Sequence, residues 1–353
     1  TICFMIPHSR PTIDERDVTT VSNTLRTGNI AQGRMVEKFE HALADYIGLK
    51  GGVATSSGTA ALHLALLALG ITKNDIVAIP GYVCTAVLNA VNYVGATPLL
   101  IDIDPDTFNL DVTDLRRKQN PRVKAVVVPH IFGLAANVEE ITKLGIPVIE
   151  DCAQSIGATY KKKMAGSFGK ISIFSFYATK MMTTGEGGMV ASNSAVLLRK
   201  AKDLRDYDNQ EDYHVRYNYK MTDFQAALGL SQLKRLPRFI KIRREIANKY
   251  HRELKDMCVL PANYGEDWGH IYYRYVIKLS HGLKSFLKLS KEKGINSERP
   301  VFKPLHRYLS LSNVPNTDRV WEQAASIPIY PTLTEKNTDS IITCVKQAIE
   351  ALR

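Results

Sequence analysis

Between residues 50 and 200, short apolar, β-branched runs alternate with segments whose apolar residues recur three and four positions apart. The runs predict strands at 76–79, 97–101, 125–128, 148–150, 171–176 and 189–191, and the periodic segments predict helices at 59–69, 84–94 and 138–144. This alternation is that of βαβ units, so the expected fold is α/β, with a mostly parallel central sheet flanked by helices. Two more helices are predicted ahead of it, at 13–25 and 36–47, with Gly28 and Gly33 punctuating the loop between them. From 223 to 255 the pattern turns long and helical, interrupted at Pro237; a strand at 272–279 and helices at 283–293 and 338–352 follow. The expected organisation is a large domain over 1–236, including the N-terminal helical segment, and a smaller C-terminal α+β domain over 237–353. No repeat, low-complexity tract or flexible linker separates them, so the two are expected to pack as one unit.

Composition narrows the class. With 353 residues, 45% of them hydrophobic, the chain can bury a deep core, which excludes a disordered or fibrous protein. Its five cysteines, Cys3, Cys84, Cys152, Cys258 and Cys344, are odd in number and scattered, without the close pairs of zinc or redox motifs. Free thiols in a reducing compartment are the expectation. Residues 1–11 hold no basic segment followed by an apolar run, and no stretch approaches the roughly 20 apolar residues of a membrane span, so a soluble cytoplasmic protein without a membrane partner is expected. The net charge of +11 admits nucleic acid, an anionic surface or a polyanionic substrate. Its clusters, 116–118, 161–163 and 234–244, are not interleaved with aromatics and read mainly as solvated faces. A nucleic-acid role would instead require strongly salt-dependent binding.

Candidate chemistry lies just past the predicted strands, where open α/β sheets gather their reactive groups. Ser56-Ser57-Gly58-Thr59-Ala60-Ala61 leads into a helix, where small residues let a phosphate reach exposed N–H groups and the positive helix end. The same residues also make an ordinary N-cap. Glu150-Asp151-Cys152-Ala153-Gln154 ends a strand; a carboxylate there can hold a pyridine nitrogen protonated, with Gln154 in reach of a ring hydroxyl, although two surface acids would read the same way. Ser175-Phe176-Tyr177-Ala178-Thr179-Lys180 precedes a glycine-rich turn. A lysine confined there can bond an aldehyde cofactor once desolvation and neighbouring cations lower its pKa, whereas lone lysines near glycines are usually solvated. Among the histidines, His63 reads as a hydrogen-bonded core residue, while His130, after a strand, can border the site or serve the fold. None has the spacing of a metal ligand set, so no metal is expected.

These segments occur in the order and spacing of fold-type I pyridoxal-phosphate (PLP) enzymes, and the chain resembles the DegT-type family of nucleotide-sugar aminotransferases. The likeness runs nearly end to end, through 6–11, Gln32-Gly33, Phe39-Glu40, 57–64, 151–188, 218–223, 225–227, 304–306 and 327–331. It implies that Lys180 carries the cofactor and shuttles protons, that Asp151 pairs with the pyridinium nitrogen, and that Gln154 lies near the phenolic oxygen. Thr59, Ala60 and Ser175 would hold the phosphate, and Asn218 would come from the neighbouring subunit of a homodimer with shared active sites. His306 lies in a Pro-Leu-His segment that tends to contribute to the substrate cleft. One position departs from the family: where many members place an aromatic residue against the cofactor ring, this chain has Cys84, with Tyr82 nearby. A buried packing thiol is the expected reading of Cys84, ahead of a nucleophile. The implied reaction passes an amino group from an amino acid, glutamate by resemblance, through pyridoxamine phosphate to a keto-sugar bearing a nucleoside diphosphate. Some relatives are sugar dehydratases in which histidine replaces the lysine; Lys180 argues against that reaction. A non-catalytic regulatory or binding relative is the other alternative, and the intact set of Asp151, Gln154, Ser175 and Lys180 argues against it.

Overall fold

The structure, a computed structural model, describes residues 5–262 and 265–352, so Cys3 lies outside the described residues. Seven strands form the central sheet, in the order Gly51–Thr55, Gly188–Ser192, Ile171–Ser175, Val148–Asp151, Val123–Pro129, Ile76–Pro80, Thr97–Ile101. From Ile171–Ser175 to Thr97–Ile101 every neighbour is parallel; only Gly188–Ser192 runs against its neighbours. The α/β sheet expected from the alternating pattern is therefore present. Strand Gly51–Thr55 falls outside the predicted set, because a strand that opens on two glycines gives little signal of its own.

Side chains alternate across this sheet and fill two cores. On one face Val77, Ile79, Val127, Ile149, Ile171 and Val190 pack beneath helices Gly58–Ala68, Thr85–Tyr93 and Ala195–Arg205. Gly58–Ala68 is apolar around its whole circumference, as a helix buried between a sheet and further helices must be. On the other face Phe174, Met189 and Ala191 meet Phe39, Leu43 and Ile47 of helix Arg34–Ile47 and Leu233, Leu236 and Ile240 of helix Asp223–Leu254. A separate core joins Tyr250 and Leu254, at the far end of that long helix, to Tyr275, Ile277, Phe286, Ile327, Ile341 and Val345, around the antiparallel pair Tyr275–Lys278 and Ala324–Ile327.

The long helix corrects the expectation of a break at Pro237. It starts at a capping box between Thr222 and Gln225 and continues through the proline for 32 residues. Proline removes one backbone donor, but buried Leu236, Phe239 and Ile240 on either side hold the helix in place. The basic stretch 234–244 is solvated at Lys234, Arg238, Lys241 and Arg244, as expected, but two of its arginines are buried. Arg235 is buried against Asp14 and Asp17, and Arg243 is buried with Nη1 on the carbonyls of Tyr272, Tyr273 and Ile329 at 3.2, 3.2 and 2.7 Å. No helix among the described residues is long and apolar enough to cross a membrane.

Candidate active site

Parallel strands bring their carboxyl ends to one edge, and the three candidate segments meet there. Asp151 closes its strand in register with Pro129 on one side and Ile173 on the other. Its side chain is buried and accepts the Ala153 N–H at 2.9 Å. Burial raises its carboxyl pKa above the ordinary value, against that hydrogen bond and the nearby Lys180 and His130 charges. Glu150 is fully buried, so the pair is not two surface acids. Its Oε2 lies 2.9 Å from His130 Nε2 and accepts the Gly166 N–H at 2.8 Å, while Oε1 accepts those of Phe168 and Gly169 at 2.7 and 2.5 Å.

This arrangement corrects one expectation for His130. Its ring is fully buried, Nε2 meets Glu150, and Nδ1 accepts the Ala136 N–H at 3.0 Å. With both nitrogens engaged, it has none left for a substrate, and its place is behind Asp151 as a structural pin. Cys152 lies close to this pair, but Glu150 already spends both oxygens on N–H donors. Gln154 is half-buried and accepts the Phe132 N–H at 3.0 Å through Oε1, leaving its amide nitrogen for another partner.

The second segment builds a helix terminus open to an anion. Ser57 is the N-cap of Gly58–Ala68, and its Oγ accepts the Ala60 N–H at 3.1 Å, so the ordinary cap and the phosphate reading share one structure. The Gly58 and Thr59 N–H groups have no acceptor among the described residues. Ser175 sits directly against this turn: a Cβ on Gly58 would lie 2.7 Å from Ser175 Cβ and 3.1 Å from its Oγ. Gly188 is equally constrained, since its Cβ would meet Ser57 O at 2.3 Å. Two glycines thus allow the serine hydroxyl and the helix N-terminus to share one small space.

Lys180 stands on a loop tied at both ends. Phe176 N–H donates to Gly187 O at 2.9 Å and Thr184 N–H to Phe176 O at 2.9 Å, while Phe176, Met181 and Met182 anchor the loop in the core. The lysine is half-buried, with Nζ 5.3 Å from the centroid of the buried Tyr273 ring. Burial alone would raise the Tyr273 phenol. The charges of Lys180 and Arg274, with hydrogen bonds to Thr179 and Arg274, outweigh it and bring the pKa down to about 8. The sequence reading missed Tyr273; the aromatic run Tyr272-Tyr273 after His270 was its only signal.

The remaining candidates fall around this centre. Cys84 is exposed at the N-cap of Thr85–Tyr93, which corrects the expectation of a buried packing thiol. Tyr82 is wholly buried among Phe108 and Phe132 and cannot stand in for a ring at the surface. His63 is a core residue, with Nδ1 3.1 Å from Tyr219 Oη. His306 is buried, 3.0 Å from Asp318 through Nε2, at the edge of a groove of about 850 Å³ that Lys303, Arg307 and Arg319 also line. Asn218 is exposed on this chain.

A half-buried lysine past one strand, a buried carboxylate at the end of the next and a serine-bordered helix terminus define an enzyme of the kind that carries an aldehyde cofactor on lysine. The chain belongs to the DegT/DnrJ/EryC1/StrS aminotransferase family, which matches residues 11–346. It is 36% identical to a GDP-perosamine synthase of Caulobacter vibrioides over 337 residues, 90% of this chain and 91% of the relative. To a GDP-perosamine synthase of Vibrio cholerae it is 32% identical, across 97% of this chain and 98% of the relative. The fold matches the PMP form of the putative sugar aminotransferase Spr1654 from Streptococcus pneumoniae with a TM-score of 0.93 at 26% identity, covering 99% and 98% of the two chains.

Proposed function

We propose that this chain is a PLP-dependent aminotransferase that moves an amino group from an amino acid, glutamate, to the keto carbon of a nucleotide-linked sugar. The observation that carries the proposal is that buried Asp151 ends one strand while Lys180 follows the parallel neighbour Ile171–Ser175 at the same edge, with Ser175 against a helix terminus. The residues fit PLP: the space between Gly58 and Ser175 that a Cβ would fill, the unspent N–H groups of Gly58 and Thr59, and the unspent amide of Gln154 match its phosphate and phenolic oxygen. Two relatives are named as synthases of a GDP-linked amino sugar, and the Spr1654 structures include PLP and PMP forms.

When bound, PLP withdraws electrons from the carbon that bears the transferred nitrogen. The protein supplies the rest. Asp151 holds the proton on the ring nitrogen, and its burial strengthens that contact, because a carboxylate removed from water gains more from a nearby positive charge. Ser175 Oγ, Thr59 and the start of Gly58–Ala68 bind the phosphate and fix the ring's position. Lys180 would hold the cofactor, and its Nζ, when free, would be the base that accepts the proton from the donor's α-carbon. Cys84, exposed at the N-cap of Thr85–Tyr93, would offer a small thiol where the family resemblance leads one to expect an aromatic ring.

Exposed Asn218 supports the further proposal that two copies share their sites, each completing the phosphate pocket of the other. The enzyme is proposed to act in the cytoplasm. The test is turnover of GDP-, dTDP- and UDP-linked keto-sugars with glutamate, followed as 2-oxoglutarate released. Sustained release with one of them is expected; conversion of the cofactor by glutamate without transfer to any keto-sugar would refute the acceptor.

A further inference from the structure

Every buried side chain of helix Gly58–Ala68 but one is alanine or leucine. The exception, His63, is 3% exposed and stands one turn beyond Thr59, whose N–H belongs to the open helix terminus. Its Nδ1 lies 3.1 Å from Tyr219 Oη, and its Nε2 is buried without a partner among the described residues. A buried polar atom left unbonded costs stability, so packing alone does not call for histidine at this position. Three tyrosine rings meet it edge-on, those of Tyr217, Tyr93 and Tyr219, with centroids 4.8, 5.4 and 5.9 Å away. Tyr217 and Tyr219 also stack on each other, 5.0 Å apart and 11° from parallel. Both rings therefore lie on one side of the chain, against the helix, while Asn218 between them is exposed. The backbone is held as well: Tyr217 N–H donates to Leu204 O at 2.8 Å, Tyr219 N–H to Arg205 O at 3.1 Å, and Tyr219 O accepts the Ser56 N–H at 2.8 Å. Arg216 and Lys220, the next residues outward, are paired with Asp203 and Asp212 and with Asp206 and Asp208.

We infer that His63 is a positioning residue that aims Asn218 at the phosphate pocket of the other subunit. The inference rests on the proposed sharing of sites and names what holds the shared residue in place. An asparagine on a loose segment loses conformational freedom each time it closes on a phosphate, whereas one whose flanking rings are clamped has lost that freedom on folding. The clamp grows from the helix whose N-terminus is proposed to hold the phosphate of its own site. One helix thus serves its own pocket through Gly58 and Thr59, and its partner's through His63 and Asn218. His63 itself touches neither cofactor and acts only through the segment 217–219.

The test reads PLP affinity from the visible band in purified heterodimers carrying two different tags. One subunit bears Lys180→Ala, so the band reports a single site, that of the subunit that keeps Lys180. With His63→Leu on the Lys180→Ala subunit, the altered segment completes the reporting site. The PLP concentration for half-saturation is then expected to rise about tenfold, as for the loss of one hydrogen bond to a charged group. With His63→Leu on the subunit that keeps Lys180, the altered helix lies in the reporting site itself, but the segment that completes it is native. Affinity should there stay within about twofold of the native value. A loss in the second arrangement as large as in the first overturns the inference, because His63 would then act on its own helix. Native affinity in both arrangements overturns it too. If His63→Leu does not fold, Tyr219→Phe, which removes only the hydroxyl, decides the matter in the same two arrangements. A weakening of about threefold confined to the first is expected, and none overturns the inference. Asn218→Ala on the Lys180→Ala subunit is the calibration: native affinity there would mean that the shared-site reading itself fails.

Discussion

Glu150→Ala tests how the strand edge is held. The Glu150 carboxylate is fully buried and accepts three backbone N–H groups, from Gly166, Phe168 and Gly169, besides its contact with His130. Alanine leaves three N–H donors without their acceptor, that of Gly166 buried and those of Phe168 and Gly169 part-buried, where a fully buried one costs roughly 1–3 kcal/mol. The expected loss is therefore on the order of 2–6 kcal/mol, against a total stability of roughly 5–15 kcal/mol for a folded protein. A chain of this size often unfolds irreversibly, so the assay is the half-life against thermal inactivation together with soluble yield. Glu139→Ala is the matched control, because it removes only an exposed contact at 2.7 Å to Lys161, of a kind worth about 0–1 kcal/mol. Glu150→Ala should yield little soluble protein or lose its fold within the time the control survives. Equal half-lives for the two variants would refute the view that Glu150 and His130 form a structural pin behind Asp151.

Other outcomes follow from the same geometry. Tyr273 should titrate near pH 8 in the cofactor-free protein and move back up toward the ordinary tyrosine value in Lys180→Met, read by ultraviolet difference absorbance with Tyr273→Phe as the blank. An unmoved titration would show that the lysine charge does not reach the phenol. His8, whose pKa falls from 6.5 to about 3 on burial, makes the unfolded chain bind more protons than the folded one between those values. Forcing it to charge in the folded protein costs about 5 kcal/mol of stability in all, nothing above pH 6.5 and progressively more as pH falls toward 3, so denaturant midpoints should drop more steeply with acid in the native protein than in His8→Gln. Mixing Lys180→Ala with Asn218→Ala subunits should restore part of the activity that each lacks alone, because some mixed dimers hold one intact site; no recovery would count against sharing.

The central sheet was legible because its strands are buried on both faces and their apolar runs stand out between helical periods. Gly51–Thr55 was not, since its place is set by pairing with Gly188–Ser192 and not by its own residues. Lys180, Asp151 and Ser175 were legible from their positions after strands. What those positions cannot reveal is direction: His130 also follows a strand, yet its ring turns back into the core toward Glu150, and Cys84 turns outward where packing was expected. Tyr273 and Arg274 were hidden for a different reason. They stand next to Lys180 through a contact that spans more than 90 positions of sequence, which no local pattern records.

The most direct measurement of the central claim is the absorption spectrum of the purified protein and of Lys180→Ala, each supplied with PLP, before and after addition of glutamate. The native protein is expected to show a visible band that glutamate bleaches, and the variant to lack it. A native protein that shows no such band with PLP present would contradict the assignment of Lys180 and of the cofactor together.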